Sequence, residues 1–443
     1  MQPRIILLFF TTLFLIQTVS AKDFDLETIL QLAKENNKEI KLARSERKVA
    51  AANLKDAIST ALPQVNIDVG YNRNFLENIF YFTVTDSSGR PRTQSFKASF
   101  RNEYQLNATL NQTIYGFGKV GNAIKAAKIF KNYSQYQYED QWQKIITRVK
   151  KAFYQALLQK KVWEVARQSE NSALENYRNM KTKFESGVIS EFDLLQAEVR
   201  WENSIPETMQ ARKFYKLAIN NLKALVDVPL REQMNLVGSL ENFPELPDTL
   251  NYREIFSHRP DYNALLLEKQ LREKRVAIER SNYLPTLLGN LTYTYGARSD
   301  AFRLENDNDN IILGLSLRIP LFTGGHTGAQ VQKAKIDMEK VRTRINMAND
   351  NIRINLQNIM LRMKEARQRI IAAEKSVGTA RRAFEIARSR VEFGLATQLE
   401  LKDSRVFLDR AQLNYYTAIY DYLDARFDWD LATGNIPTEE SSN

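Results

Sequence analysis

From Val331 to Val391 an apolar residue recurs at every third or fourth position, eighteen times running, with no proline in the stretch. The steps alternate 3 and 4, with one 4-4 break at 348–352–356. That is a coiled-coil seam carrying an 11-residue interruption. A helix that bears it is about 65 residues and roughly 100 Å long. Globular helices average about 11–12 residues, so this segment is not part of a compact domain. The seam is rich in alanine, as expected where a helix is packed closely on both sides.

The same seam occurs twice. Subtracting 207 from the eighteen positions leaves thirteen of them apolar, among them Ile124, Tyr138, Ile145, Val149, Trp163, Tyr177 and Phe184. The offset also superposes "KFESGVISEFDLLQAEVRWEN" (183–203) on "RVEFGLATQLELKDSRVFLDR" (390–410), and "LNQTIYGFG" (110–118) on "LRIPLFTGG" (317–325). Upstream, Pro63 pairs with Pro285 at offset 222, so the first half holds 15 more residues between its Pro and its Gly. We place them around "TVTDSSGRPRTQS" (83–95), whose Ser-Ser-Gly and Arg-Pro predict an exposed loop. An internal two-fold repeat is the framework.

Before each long helix the period changes to 2. Val65, Ile67, Val69 and Tyr71 alternate with polar residues or glycine, as do Tyr104, Leu106, Ala108 and Leu110. The second half repeats this with Leu291, Tyr293 and Tyr295, then with Ile311, Leu313, Leu315, Leu317 and Ile319. Four strands of about 10 residues, apolar outside and polar inside, match a transmembrane β-barrel. A soluble sandwich has the same local alternation. The first residues tilt the balance. Arg4, an apolar run over Ile5–Ile16 and Val19-Ser20-Ala21 read as a secretory signal over 1–21. Export, the long helices and the aromatic strand ends favour the barrel. Four strands cannot close one, and an open edge is not tolerated in lipid. The chain is therefore expected to oligomerise, three copies supplying twelve strands.

Composition narrows the functions. The sequence has no cysteine, which excludes a disulfide framework, zinc–thiolate sites and a thiol nucleophile. Its 63 Lys+Arg against 52 Asp+Glu are spread along helices, consistent with a solvated surface and not a nucleic-acid site. His258 and His326 lie beside loops with no spacing for a metal site or a triad. "YGFGK" (115–119) lacks the phosphate-loop spacing. No enzyme activity, metal or cofactor is expected.

The duplicated order of helix, Leu-Pro, strand, strand, Gly pair, long helix, turn and helix resembles the TolC family of outer-membrane efflux proteins. "HRPDYNALLLEKQLREKRVAIERSNYLPTL" (258–287) and "LRIPLFTGG" (317–325) are typical local signatures. The resemblance covers roughly residues 23–434. It implies a mainly α fold with transmembrane β structure: a homotrimeric, 12-stranded barrel with four strands per chain, continuous with a long periplasmic α-helical barrel. It implies the outer membrane of a Gram-negative bacterium, with outer-membrane lipid around the barrel. It also implies a passive conduit of a tripartite efflux pump or type I secretion system. The partners implied are a periplasmic adaptor (membrane fusion) protein and an inner-membrane pump of RND, ABC or MFS type. The expected divisions are a signal peptide (1–21), a first repeat (22–227), an equatorial linker (228–251), a second repeat (252–434) and a polar tail (435–443).

The two superposed turns become periplasmic tips in this reading. Gly187 and Gly394 can take positive φ and end the long helices. Ser190 and Thr397 can cap the next helices, with Asp193 and Glu400 at the third position. Val188, Ile189, Leu395 and Ala396 are the expected apolar contacts for the adaptor. Glu400 and Asp403 match the family's acidic entrance ring, with Asp193 beside them. Where a well-known relative carries a latching Arg and Tyr, this chain has Ala396 and Val391, so a different closure is expected. Pro206 should kink the first return helix. The alternative to a channel is a secreted or surface structural coiled coil.

Overall fold

The structure is a computed structural model and describes residues 22–247 and 251–437. The predicted signal segment, the last residues of the tail and the end of the linker lie outside the described residues. Contacts divide the chain into two compact units. One comprises the described parts of Met1–Lys41, Trp142–Leu250 and Ile354–Asn443; the other comprises Leu42–Gln141 and Asn251–Arg353.

The first half carries β1 (Lys22–Phe24), α1 (Leu26–Asn36), α2 (Lys38–Ser59), β2 (Gln64–Arg73), β3 (Ile79–Thr85), β4 (Pro91–Lys97), β5 (Asn102–Tyr115), α3 (Lys119–Glu185) and α4 (Glu191–Leu225). The chain continues through β6 (Met234–Leu236), α5 (Tyr252–His258), α6 (Pro260–Ser281), β7 (Thr286–Ser299), β8 (Asn308–Arg318), α7 (His326–Glu392) and α8 (Gln398–Thr433). Both long helices, α3 and α7, have 67 residues. In α7 none of the eighteen seam positions is exposed, and Val341, Leu356, Met363 and Ala366 are fully enclosed. Exposed Met347, Ile354 and Leu361 form a second, heptad-spaced row on the same helix. No helix among the described residues is long and apolar enough to cross a membrane.

The unit that holds the strands is organised around one antiparallel sheet of order β2-β5-β7-β8. Its register lines up rows across all four strands. Val65, Leu110, Leu291 and Leu313 form one row, and Ile67, Ala108, Tyr293 and Ile311 the next. Asp68, Asn107, Thr294 and Asn310 form a row on the opposite face. A strand alternates faces at every residue, so the period-2 pattern becomes one apolar and one polar face. The apolar face is uncovered in the single chain: Ile67 is 66% exposed and Leu313 74%. Among the described residues, strands β2 and β8 each pair on one side only.

The extra segment of the first half departs from the expected loop. Residues 79–85 and 91–97 pair as an antiparallel hairpin, β3–β4, leaving only 86–90 as its turn. Asp86 closes that turn, its Oδ1 accepting from the backbone N–H groups of Ser88 (2.9 Å) and Arg90 (3.0 Å). Phe96 stacks on Phe80, with Phe82 edge-on. Ser-Ser-Gly therefore marks a tight turn, and the alternating aromatic flanks make strands.

In the other unit, α3 and α4 pack through stacked rings, Trp163 on Tyr215 and Tyr177 on Trp201. The segment that follows β6 lies on α8. Tyr422 donates to the Pro244 carbonyl at 2.7 Å, and Arg367 sits over Phe243 and Tyr422. The sequence did not suggest the parallel pairing of β1 with β6, which encloses Phe24 and Leu236. Lys151 and Arg362 each reach both Asp424 and Asp428, at 2.7–3.1 Å. Helix α4 continues through Pro206, and Ser204 Oγ takes up the Trp201 carbonyl at 2.6 Å.

Candidate functional site

The two superposed turns close in the same way. After α3, the Val188 N–H reaches the Lys183 carbonyl (2.9 Å) and the Gly187 N–H the Phe184 carbonyl (2.8 Å). After α7, Leu395 reaches Arg390 (2.8 Å) and Gly394 reaches Val391 (3.2 Å). Both are Schellman closures, which require a left-handed residue. Gly187 has φ 72° and Gly394 φ 73°, and a Cβ at either would meet nothing within 4 Å. The demand for glycine at these turns is thus one of backbone conformation and not of space.

The following helices are capped as the residue types dictate. Ser190 Oγ accepts from the Asp193 N–H at 3.3 Å and donates to Asp193 Oδ2 at 2.7 Å. Thr397 Oγ1 accepts from the Glu400 N–H at 3.2 Å. Each cap satisfies an otherwise orphaned amide, worth roughly 1 kcal/mol.

The apolar tip residues divide. Ile189 and Ala396 turn inward and pack, with Leu194 and Leu401, on a buried cluster of Met180, Ala197 and Val391. Val188 and Leu395 remain outside, 70% and 68% exposed. Phe393 and Phe192 join them on the surface, at 79% and 67%. Sequence reasoning passed over these two. The signal was available: Phe393 falls outside the seam register that Val391 occupies, so it has no place in the coil.

The acids divide as well. Arg390 folds back over its own turn, donating to the Leu395 carbonyl at 2.9 Å and reaching Glu400 Oε2 at 3.4 Å. Glu400 is therefore paired within its own turn, and Asp193 is engaged with its cap. Asp403 remains exposed one helical turn further on, close enough to Arg200 to interact electrostatically. Lys183, the counterpart of Arg390 in the first half, instead crosses to the Glu392 carbonyl at 3.2 Å. Equivalent cations therefore serve different contacts, one bracing its own turn and the other joining α3 to α7. Further bridges join the two helix pairs: Arg388 to Glu175 at 2.7 Å and Asn176 to Gln398 at 2.8 Å. Neither Ala396 nor Val391 carries a polar side chain, so the polar contacts at this end are made by these residues and Lys183. Val391 is instead part of the buried cluster.

Comparison with known proteins agrees with this architecture. The sequence model of the family described as outer membrane efflux protein matches residues 29–227 and 251–435. The chain is 22% identical over 429 residues to the outer membrane protein TolC of Vibrio cholerae, covering 94% of this chain and 92% of that one. It is 26% identical over 301 residues to the alkaline protease secretion protein AprF of Pseudomonas aeruginosa, covering 66% and 62%. The fold is similar to that of the Campylobacter jejuni CmeC outer membrane channel. The TM-score is 0.77 at 21% identity, over 92% of this chain and 85% of that one. With its repeated seam, its one-sided apolar sheet and a family match across both halves, this chain belongs to the outer membrane efflux protein family.

Proposed function

We propose that three copies of this outer-membrane channel protein close a twelve-stranded barrel and that their six turns ring the periplasmic entrance. The turns meet a periplasmic adaptor, which couples the conduit to an inner-membrane pump. The observation that carries the assembly is the sheet. It has an exposed apolar face and two edges, β2 and β8, with a partner on one side only. Lipid tolerates neither an open edge nor an unpaired backbone amide. Joining β8 of one copy to β2 of the next removes every edge, and the row Met347, Ile354 and Leu361 supplies a second coiled-coil contact. Three copies of a 51.3 kDa chain total about 150 kDa. Native mass spectrometry in detergent is expected to give that mass. A stable monomer in the outer-membrane fraction would remove the barrel, and a soluble secreted rod would favour the structural coiled coil.

The entrance reading rests on Asp403 and Glu400. Carboxylates around a water-filled constriction concentrate cations and repel anions. Because Arg390 draws on Glu400, the larger share falls to Asp403. Planar-bilayer conductance is expected to be cation-selective and blocked from the periplasmic side by multivalent cations. The block should weaken as salt rises. Asp403→Asn should relieve it more than Glu400→Gln does. Equal, wild-type block in the double variant would leave these acids as ordinary first-turn residues favoured by the helix dipole.

A further inference from the structure

Behind the two turns lies a cavity of about 380 Å³ lined by all four of the helices α3, α4, α7 and α8. Five cationic side chains reach it, Lys183, Arg200, Arg388, Lys402 and Arg405, against two carboxylates, Glu175 and Glu392. Both carboxylates are already engaged by Arg388, at 2.7 and 3.5 Å. The remainder of the wall mixes apolar side chains, Ala173, Met180, Phe384, Val391 and Leu401, with uncharged polar ones such as Asn176, Asn179 and Gln398.

Arg405 is the unusual member. It is 4% exposed, yet its Nε has no hydrogen-bond partner among the described residues. Nη1 reaches Ser172 Oγ only at 3.4 Å. Nη2 forms an ion pair with Asp409, 2.8 Å from Oδ1. The guanidinium lies 5.3 Å from the Phe384 ring centroid. A buried arginine has five N–H groups to satisfy, and an unsatisfied one is costly. Here it lies in the wall of a cavity large enough for a small organic ligand, with Lys402 and Arg200 in the same wall.

We propose that this cavity is a binding site for an amphipathic organic anion. The acid group, a carboxylate or sulfonate, pairs with Arg405 and its neighbouring cations. An aromatic or alkyl body lies against Phe384, Met180 and Leu401. Two oxygens of a carboxylate or of a tetrahedral sulfonate can face the fork of a guanidinium, and an aryl body matches the Phe384 wall. A bound anion ties the four helices together just behind the turns. The proposal concerns this cavity alone and stands whether or not the turns dock an adaptor.

The test is binding of 2-naphthalenesulfonate to the purified full chain in a neutral maltoside detergent, followed by calorimetry. One site per chain is expected. Neutral 2-naphthylmethanol and inorganic sulfate should each bind at least tenfold more weakly, and the sulfonate affinity should fall as salt rises. Lys402 is exposed, so Lys402→Gln leaves the fold undisturbed; it should weaken the sulfonate several-fold, and Lys402→Arg should restore it. The double variant Arg405→Met with Asp409→Leu removes the buried charge and its partner together. It should lose at least tenfold while keeping the helical circular dichroism. Equal binding of the neutral alcohol would make the cavity merely apolar. Equal binding of sulfate would make it a plain anion site, and unchanged affinity in both variants would place the ligand elsewhere. Each of these three results overturns the proposal.

Discussion

Leu395→Asp and Val188→Asp, made together, are expected to abolish export while leaving the protein in the outer membrane at its normal oligomeric mass. Both side chains are about 70% exposed in the single chain and contribute almost nothing to its core, so the folded state should tolerate the charge. The docked state should not: an unpaired carboxylate placed in an apolar contact costs several kcal/mol. Two turns per chain multiply that cost around a ring. Ile189→Asp and Ala396→Asp, one residue further on, should behave differently. Those positions pack on Met180, Ala197 and Val391, so charges there should lower thermal stability as well as export. Site-specific cross-linking to the adaptor, read beside the melting temperature, separates the two cases. Normal cross-linking and export in the Val188/Leu395 variant would remove the docking proposal.

The backbone of the turn offers a companion measurement. Since a Cβ at Gly394 meets nothing within 4 Å while φ is 73°, Gly394→Asn should be nearly silent. Gly394→Val should cost about 1–2 kcal/mol, the strain of a branched residue in the left-handed region. Gly394→Pro cannot adopt the conformation at all and should open the turn. A steric role for the site would make Asn and Val equally harmful.

The second large effect is expected at the sheet. Leu313 lies mid-strand in β8, in the row with Val65, Leu110 and Leu291, and is 74% exposed in the single chain. If that face meets lipid, Leu313→Arg places a guanidinium near the bilayer midplane at about 2–4 kcal/mol per copy. Three copies bring this to roughly 6–12 kcal/mol, comparable to the whole stability of an ordinary domain. The variant is therefore expected to be absent from the outer membrane. Asn310→Arg, three residues away on the opposite face, introduces the same charge toward the polar side and should assemble normally. Folding yield in lipid vesicles, read as the heat-sensitive oligomer on gels, distinguishes them. Equal yields would mean that the two faces are not lipid-facing and lumen-facing.

Much of this was legible before any coordinates. Seam positions in α7 were read from a 3-4 repeat, and all of them are buried or half-buried. The apolar and polar rows of the sheet follow from alternation alone. Gly187 and Gly394 were picked out by their place after the seam, and Ser190 and Thr397 by their oxygen at the N-cap. Where the reading fell short, a composition signal had replaced a periodic one. Ser-Ser-Gly and Arg-Pro predict a loop over 83–95, although Phe80, Phe82 and Phe96 flank the turn with strand spacing. The short pairing of β1 with β6 left no signal, since three residues are too few to show a period.

What the sequence determined by itself, then, is everything governed by a local rule. Helix and strand periods, the left-handed turns and the caps each depend on residues within a few positions of one another, and the duplication repeats those local patterns 207 residues apart. A window of sequence contains all that those rules require. What only the tertiary structure decided is the partner of each long side chain. Lys183 and Arg390 occupy equivalent places in the two repeats, yet one bridges to the Glu392 carbonyl and the other braces its own turn against Glu400. Arg405 meets Ser172, 233 positions away, and Phe384 on a third helix. The physical reason is reach. A backbone torsion responds to its neighbours in the chain, whereas a guanidinium or ammonium at the end of a long stem answers to whatever the packing of other helices brings within about 3 Å.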